Sequence, residues 1–170
     1  MIRQGVVLFW LAILPGCHHG APKRGSAGRT DPSAQEILTL VRGSCFGDCP
    51  SYEVTLFQSG RVLFGRNIDP DLGPPAERVV PAAVDKIRPL TRKLDGLDIK
   101  CCNCADMTDM PSATITYRGL DGRMRTIEHY HGCEKAPDWL YAVENEIDAI
   151  LETERWIGRK MNYGPYHPTR

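Results

Sequence analysis

The residues of this chain best suited to chemistry are Cys101, Cys102, Cys104, His129, His131 and Cys133. If a strand runs through Ile127 and continues, positions 129, 131 and 133 project to the same side. Two imidazoles and a thiol would then share one face, with three more thiols in a nearby loop. Tetrahedral zinc sites are built from such ligands, so zinc or copper on His129, His131 and Cys133 is one reading. The other is disulfide bonding, because Cys-Cys-x-Cys is not a usual zinc-knuckle spacing and an oxidising compartment favours disulfides. A bond from Cys102 or Cys104 to Cys133 would close a loop of about 30 residues and contribute roughly 3.5 kcal/mol in the chain-entropy model. Cys101 and Cys102 are adjacent and would bond each other only with strain.

A second pair, Cys45 and Cys49, brackets Gly47 and is followed by Pro50. Gly47 permits the bend that brings the two Cα atoms within bonding range, roughly 4.4–6.8 Å. Redox-active pairs use Cys-x-x-Cys at a helix N-terminus, whereas this Cys-x-x-x-Cys leads into a strand. The expectation is a structural Cys45–Cys49 disulfide. No nucleophile elbow, phosphate loop or dinucleotide fingerprint occurs, so no catalytic residue is assigned and no cofactor is expected. The pairs Asp69/Asp71 and Glu152/Glu154 read as solvated charge. Trp139, Tyr141 and Trp156 read as core.

Those side chains must be positioned by regular elements. Tyr52, Val54 and Leu56 alternate with Glu53 and Thr55, the pattern of a half-buried strand. A three-residue Gln58-Ser59-Gly60 loop sets Leu56 opposite Val62 and Val54 opposite Phe64. It also places Gly60 where a type I turn plus bulge requires a left-handed residue. Ile37–Val41 reads as a first strand and 67–80, rich in Pro and Gly, as a loop. A helix from Pro81 carries Val84, Ile87, Leu90, Leu94 and Leu97, with Pro89 expected to kink or split it. Ala113–Tyr117 and Met124–Tyr130 form a second hairpin. Pro137 opens a second helix with Leu140, Val143, Ile147, Ile150 and Leu151 on its apolar stripe and Glu144, Asn145, Glu146 and Asp148 mostly opposite. The order strand, hairpin, helix, hairpin, helix predicts an α+β domain: an antiparallel sheet of about five strands with two helices packed on one face.

The N-terminus gives the location. Val6–Leu14 is an apolar run of nine residues, too short for a bilayer about 30 Å thick but a normal signal-peptide core. Leu14-Pro15-Gly16-Cys17 resembles the lipobox of bacterial lipoproteins, a likeness that implies diacylation of Cys17 as the new N-terminus. Residues 1–16 are thus the signal peptide, 17–35 the lipidated terminus and a Gly/Pro/Ser-rich tether, 36–158 a single domain and 159–170 a loose tail. His18 in place of Asp implies outer-membrane sorting. The whole chain holds 21 basic and 21 acidic residues. Removal of Arg3 with the leader leaves a net charge of −1, which argues against nucleic-acid binding. The partners expected are the membrane, through acyl chains, and another envelope protein or a cell-wall component.

Arg42-Gly43-Ser44-Cys45-Phe46-Gly47-Asp48-Cys49-Pro50-Ser51-Tyr52 resembles the opening of a bacterial domain of unknown function, the 6438 family, whose members carry Cys-Phe-Gly-x-Cys-Pro-x-Tyr. Thr108-Asp109-Met110-Pro111 and Glu152-Thr153-Glu154-Arg155-Trp156-Ile157 resemble later segments of it. The likeness covers roughly residues 36–157 and implies no activity, as the family has no established chemistry. Two functions follow as expectations. The first is a lipid-anchored, non-catalytic envelope module that binds a partner through its sheet or its Cys45–Cys49 turn. The second is a metal-binding or thiol-active envelope protein using Cys101–Cys104 and His129–Cys133.

Overall fold

The computed structural model describes residues 31–66, 72, 74–97, 109–158 and 163–164. Strands β1 (Glu36–Arg42), β2 (Tyr52–Phe57), β3 (Arg61–Arg66), β4 (Ala76–Val79), β5 (Ser112–Arg118) and β6 (Met124–Tyr130) form one sheet in the order β4-β3-β2-β1-β5-β6. Every neighbouring pair is antiparallel. Helices α1 (Ala83–Asp95), α2 (Trp139–Leu151) and the single turn α3 (Glu154–Ile157) complete the α+β domain. No helix among the described residues is long and apolar enough to cross a membrane.

Alternation in the strands builds one apolar face. Leu38, Leu40, Val54, Leu56, Val62, Phe64, Ile115 and Ile127 are all fully buried in the core cluster. The β2–β3 hairpin has the register that its sequence calls for, Leu56 opposite Val62 and Val54 opposite Phe64. Gly60 takes φ +80°, a conformation that L side chains rarely adopt. Val84, Ile87, Leu90 and Leu94 from α1 enter the same core as Leu140, Val143, Ile147 and Leu151 from α2, and the two helices touch. On the other face threonines pair across strands, Thr39 with Thr55 at 3.0 Å and Thr116 with Thr126 at 3.1 Å.

Four expectations are corrected. The sheet has six strands, because β4 lies within the 67–80 stretch that reads as a loop. Its Ala-Glu-Arg-Val lacks apolar alternation since it is an edge strand, held to β3 by backbone pairing and by Arg61–Glu77 at 3.0 Å. Helix α1 is not split at Pro89 but continues from Ala83 to Asp95, since Pro89 is an exposed position where the freed carbonyl can meet water. Part of the segment read as a tether is ordered: Pro32–Ala34 forms a 3-10 turn, and Gln58 and Ser59 donate backbone bonds to Gln35 and Ser33. Tyr163, placed by the sequence in a loose tail, packs against the core cluster.

Candidate functional site

Alternation carries Arg42 onto the core face after Leu38 and Leu40, and the guanidinium ends up 1% exposed. A buried cation is tolerated only when fully paired, and α2 supplies the partners. Glu144 and Asp148 stand one helical turn apart, a spacing that puts them on one face. Arg42 Nη1 donates to Glu144 Oε2 at 2.8 Å, while Nη2 and Nε donate to Asp148 Oδ2 at 2.8 and 3.2 Å. Tyr52, opposite Arg42 across β1–β2, donates its hydroxyl to Asp148 Oδ1 at 2.7 Å. Thr153 Oγ1 donates to the same oxygen at 3.0 Å.

Strand β6 brings the imidazoles to the other side of Glu144. His129 alternates inward with Ile127, and His131 follows the strand, its amide bonded to Pro111 O at 3.0 Å. His129 Nδ1 lies 2.5 Å from Glu144 Oε1, and His131 Nε2 lies 2.9 Å from Oε2. An ionised carboxylate only accepts, so both rings donate to it, which fixes their tautomers. His129 Nε2 is buried and has no hydrogen-bond partner among the described residues. Tyr141 packs edge-on against His129 and donates its hydroxyl to His131 O at 2.9 Å. Tyr163 lies across the Arg42 guanidinium at 5.0 Å and edge-on to His131, its backbone tied to the Asn145 side chain in both directions.

The electrostatics follow from this packing. Burial alone would raise the Glu144 carboxyl, but hydrogen bonds from His129 and His131 and the Arg42 charge outweigh it and hold it at about 2. Burial pushes the His131 imidazole below its ordinary value despite the bond to Glu144. Burial also opposes the Arg42 charge, yet Asp148 and Glu144 leave that guanidinium more firmly protonated than usual. The Tyr52 phenol is raised, by burial first and then by Asp148. Asp148 borders a cleft of about 330 Å³ that Asn145, Glu152 and Arg155 also line.

The β1–β2 connection sits on the strand ends that bear Arg42 and Tyr52. Cys45 and Cys49 are bonded, with Cα atoms 5.6 Å apart, and Gly47 takes φ +151°. The turn is tied inward at two places, by Phe46 N to Asp109 O at 3.1 Å and by Ser51 Oγ to Arg42 O at 3.2 Å. Its tip carries Phe46, 90% exposed.

Cys133 is disulfide-bonded and buried, so it offers no thiolate to a metal, and the ligand-capable group among the described residues is His129, His131 and Glu144. Cys17, Cys101, Cys102 and Cys104, with Asp69 and Asp71, lie outside the described residues. Trp156 stacks on Phe64 at 4.8 Å and Tyr141 is buried, while Trp139 lies under Lys93. Sequence reasoning misses Arg42, Tyr52, Glu144 and Asp148 as a group. The available signal was positional: Arg42 continues the Leu38/Leu40 alternation, and Glu144 and Asp148 fall beside Leu140, Ile147 and Leu151 on the helical period.

No curated protein matches the chain. Residues 36–151, from the start of β1 to the end of α2, match a family described as a domain of unknown function (DUF6438). That span contains both strand ends of the disulfide turn, both histidines and both buried carboxylates, and the chain belongs to this family.

Proposed function

We propose that this protein is a lipid-anchored component of the bacterial cell envelope, held at the outer membrane by acyl chains on Cys17, and that its domain is a non-catalytic module binding another envelope protein. The observation that carries the binding role is Phe46. An aromatic side chain 90% exposed at the tip of a disulfide-closed turn loses little conformational entropy on docking. Rigid aromatic anchors are the residues on which protein interfaces concentrate their energy. The turn is fixed from below, since the strands it joins end in Arg42 and Tyr52, both bonded to Asp148.

A photo-crosslinking residue at position 46 of the anchored, full-length protein tests this in native envelopes. Leu120 is exposed at the β5–β6 turn and serves as the control position. One discrete protein adduct from position 46 but not from 120, with affinity for the captured protein reduced at least about 30-fold by Phe46→Ala, is the expected outcome. Equal labelling from both positions, or adducts only with cell-wall glycan, rejects the proposal.

A further inference from the structure

We propose that His129, His131 and Glu144 form an internal centre for one divalent transition-metal ion, zinc being the simplest case. Their ligand atoms lie within 4.8 Å of one another, and all three residues are buried. Two imidazole nitrogens and a carboxylate are the protein ligands of a three-ligand zinc centre. The nitrogen–oxygen separations are 2.5 and 2.9 Å. An ion with tetrahedral bonds of about 2.0–2.2 Å holds its donors roughly 3.3–3.6 Å apart, so the His129–Glu144 pair must part by about 0.8–1.1 Å and the His131–Glu144 pair by about 0.4–0.7 Å.

Three further features favour an ion over a purely structural network. The first is the support behind the carboxylate. Arg42 bonds Glu144 and is itself clamped by Asp148, which Tyr52 and Thr153 hold in turn. Metal centres depend on such outer partners to fix their ligands. The second is His129 Nε2, unpartnered among the described residues. A buried polar atom without a partner is unfavourable, a cost that a wholly structural histidine avoids. With no bond to lose at Nε2, either ring nitrogen can face the ion. The third is charge. Glu144 and Asp148 against Arg42 leave the buried cluster one positive charge short when both imidazoles are neutral, and uncompensated buried charge is strongly unfavourable. Ligation requires each ring to present a lone pair at the nitrogen now donating to Glu144, so each neutral ring shifts its one proton to its far nitrogen and stays uncharged.

The experiment uses the full chain, stripped with chelator and titrated with Zn²⁺ and Co²⁺ at pH 7.5. The expected result is one ion per chain, retained after free thiols are alkylated and after His18 and His19 are replaced by Ala. His129→Gln, His131→Gln and Glu144→Gln should each weaken binding at least about 10-fold. Glu144→Gln removes a buried anion and can unfold the chain, so the cobalt spectrum of the unmutated protein gives a second reading. Visible d–d bands without a sulfur-to-cobalt charge-transfer band support the His/His/Glu centre. A thiolate charge-transfer band, loss of binding with the His18/His19 variant, or no stoichiometric uptake overturns it. In the last case a shared proton supplies the missing charge.

Discussion

Arg42 is the residue on which the polar interior depends. Its guanidinium makes contact with Glu144 and Asp148 simultaneously, and among the described residues neither carboxylate bonds another arginine or a lysine. Arg42→Ala would leave two buried anions, and breaking a buried pair in this way costs about 3–5 kcal/mol. Urea unfolding should show that loss, and a cost below about 1 kcal/mol would mean the cluster is not a closed network. The pH dependence has a definite sign. Glu144 sits at about 2 when folded against 4.5 in its ordinary state, so its contribution is complete above pH 4.5 and disappears as pH falls toward 2. His131 is also depressed, from 6.5, so its contribution is complete above pH 6.5 and declines below it. Tyr52 is raised above 10, and its contribution is lost as pH rises past that value. The urea midpoint should therefore plateau between about pH 7 and 9 and fall on both sides. A midpoint that rises on acidification from pH 6.5 to 5 would contradict the assignment.

At the scale of elements, the Cys45–Cys49 turn and helix α1 give contrasting predictions. The disulfide closes a very short loop, and the chain-entropy model assigns it about 2 kcal/mol. Cys45→Ser with Cys49→Ser should lower stability by no more than that, because the β1–β2 register is also held by backbone pairing from Arg42/Tyr52 to Glu36/Phe57. A loss above about 4 kcal/mol would show that the turn nucleates the hairpin. Pro89 works in the opposite direction. Restoring the missing helical N–H by Pro89→Ala removes an interior penalty of about 3 kcal/mol, less up to about 1 kcal/mol of extra unfolded-state freedom. The variant should be about 2–3 kcal/mol more stable by denaturant titration, and a destabilised variant would show that the proline ring itself fills a contact. The strand and helix periods were legible here because each depends on side chains that are near neighbours in sequence. Edge strand β4 was not, since nothing in Ala-Glu-Arg-Val alternates.

For the whole molecule, Tyr163 joins the C-terminal segment to the interior. Its ring covers Arg42 and His131, and its backbone pairs with Asn145. Tyr163→Ala should cost about 1–3 kcal/mol, from lost aromatic burial and a cation–π contact. It should also raise amide exchange at His129 and His131 more than at β2 and β3. Uniform exchange changes across the sheet would indicate global destabilisation and refute a local cover.

The sequence by itself determined what short-range physics controls. Period-two alternation and a Gly60 turn set the β2–β3 register, 3.6-residue spacing set the two main helices, and the spacing of Cys45 and Cys49 around Gly47 set their pairing. Tertiary structure alone decided the fate of the charges. Read along α2, Glu144 and Asp148 belong to its polar side, because a helical period does not tell how wide the buried stripe is. Burial of a carboxylate becomes tolerable only where a cation and hydrogen-bond donors already wait. Here those come from Arg42 and Tyr52, about a hundred positions earlier in the chain, and from the two histidines of β6 and its exit. Only folding the sheet against α2 brings those donors and acceptors together, so the polar centre is a property of the tertiary arrangement.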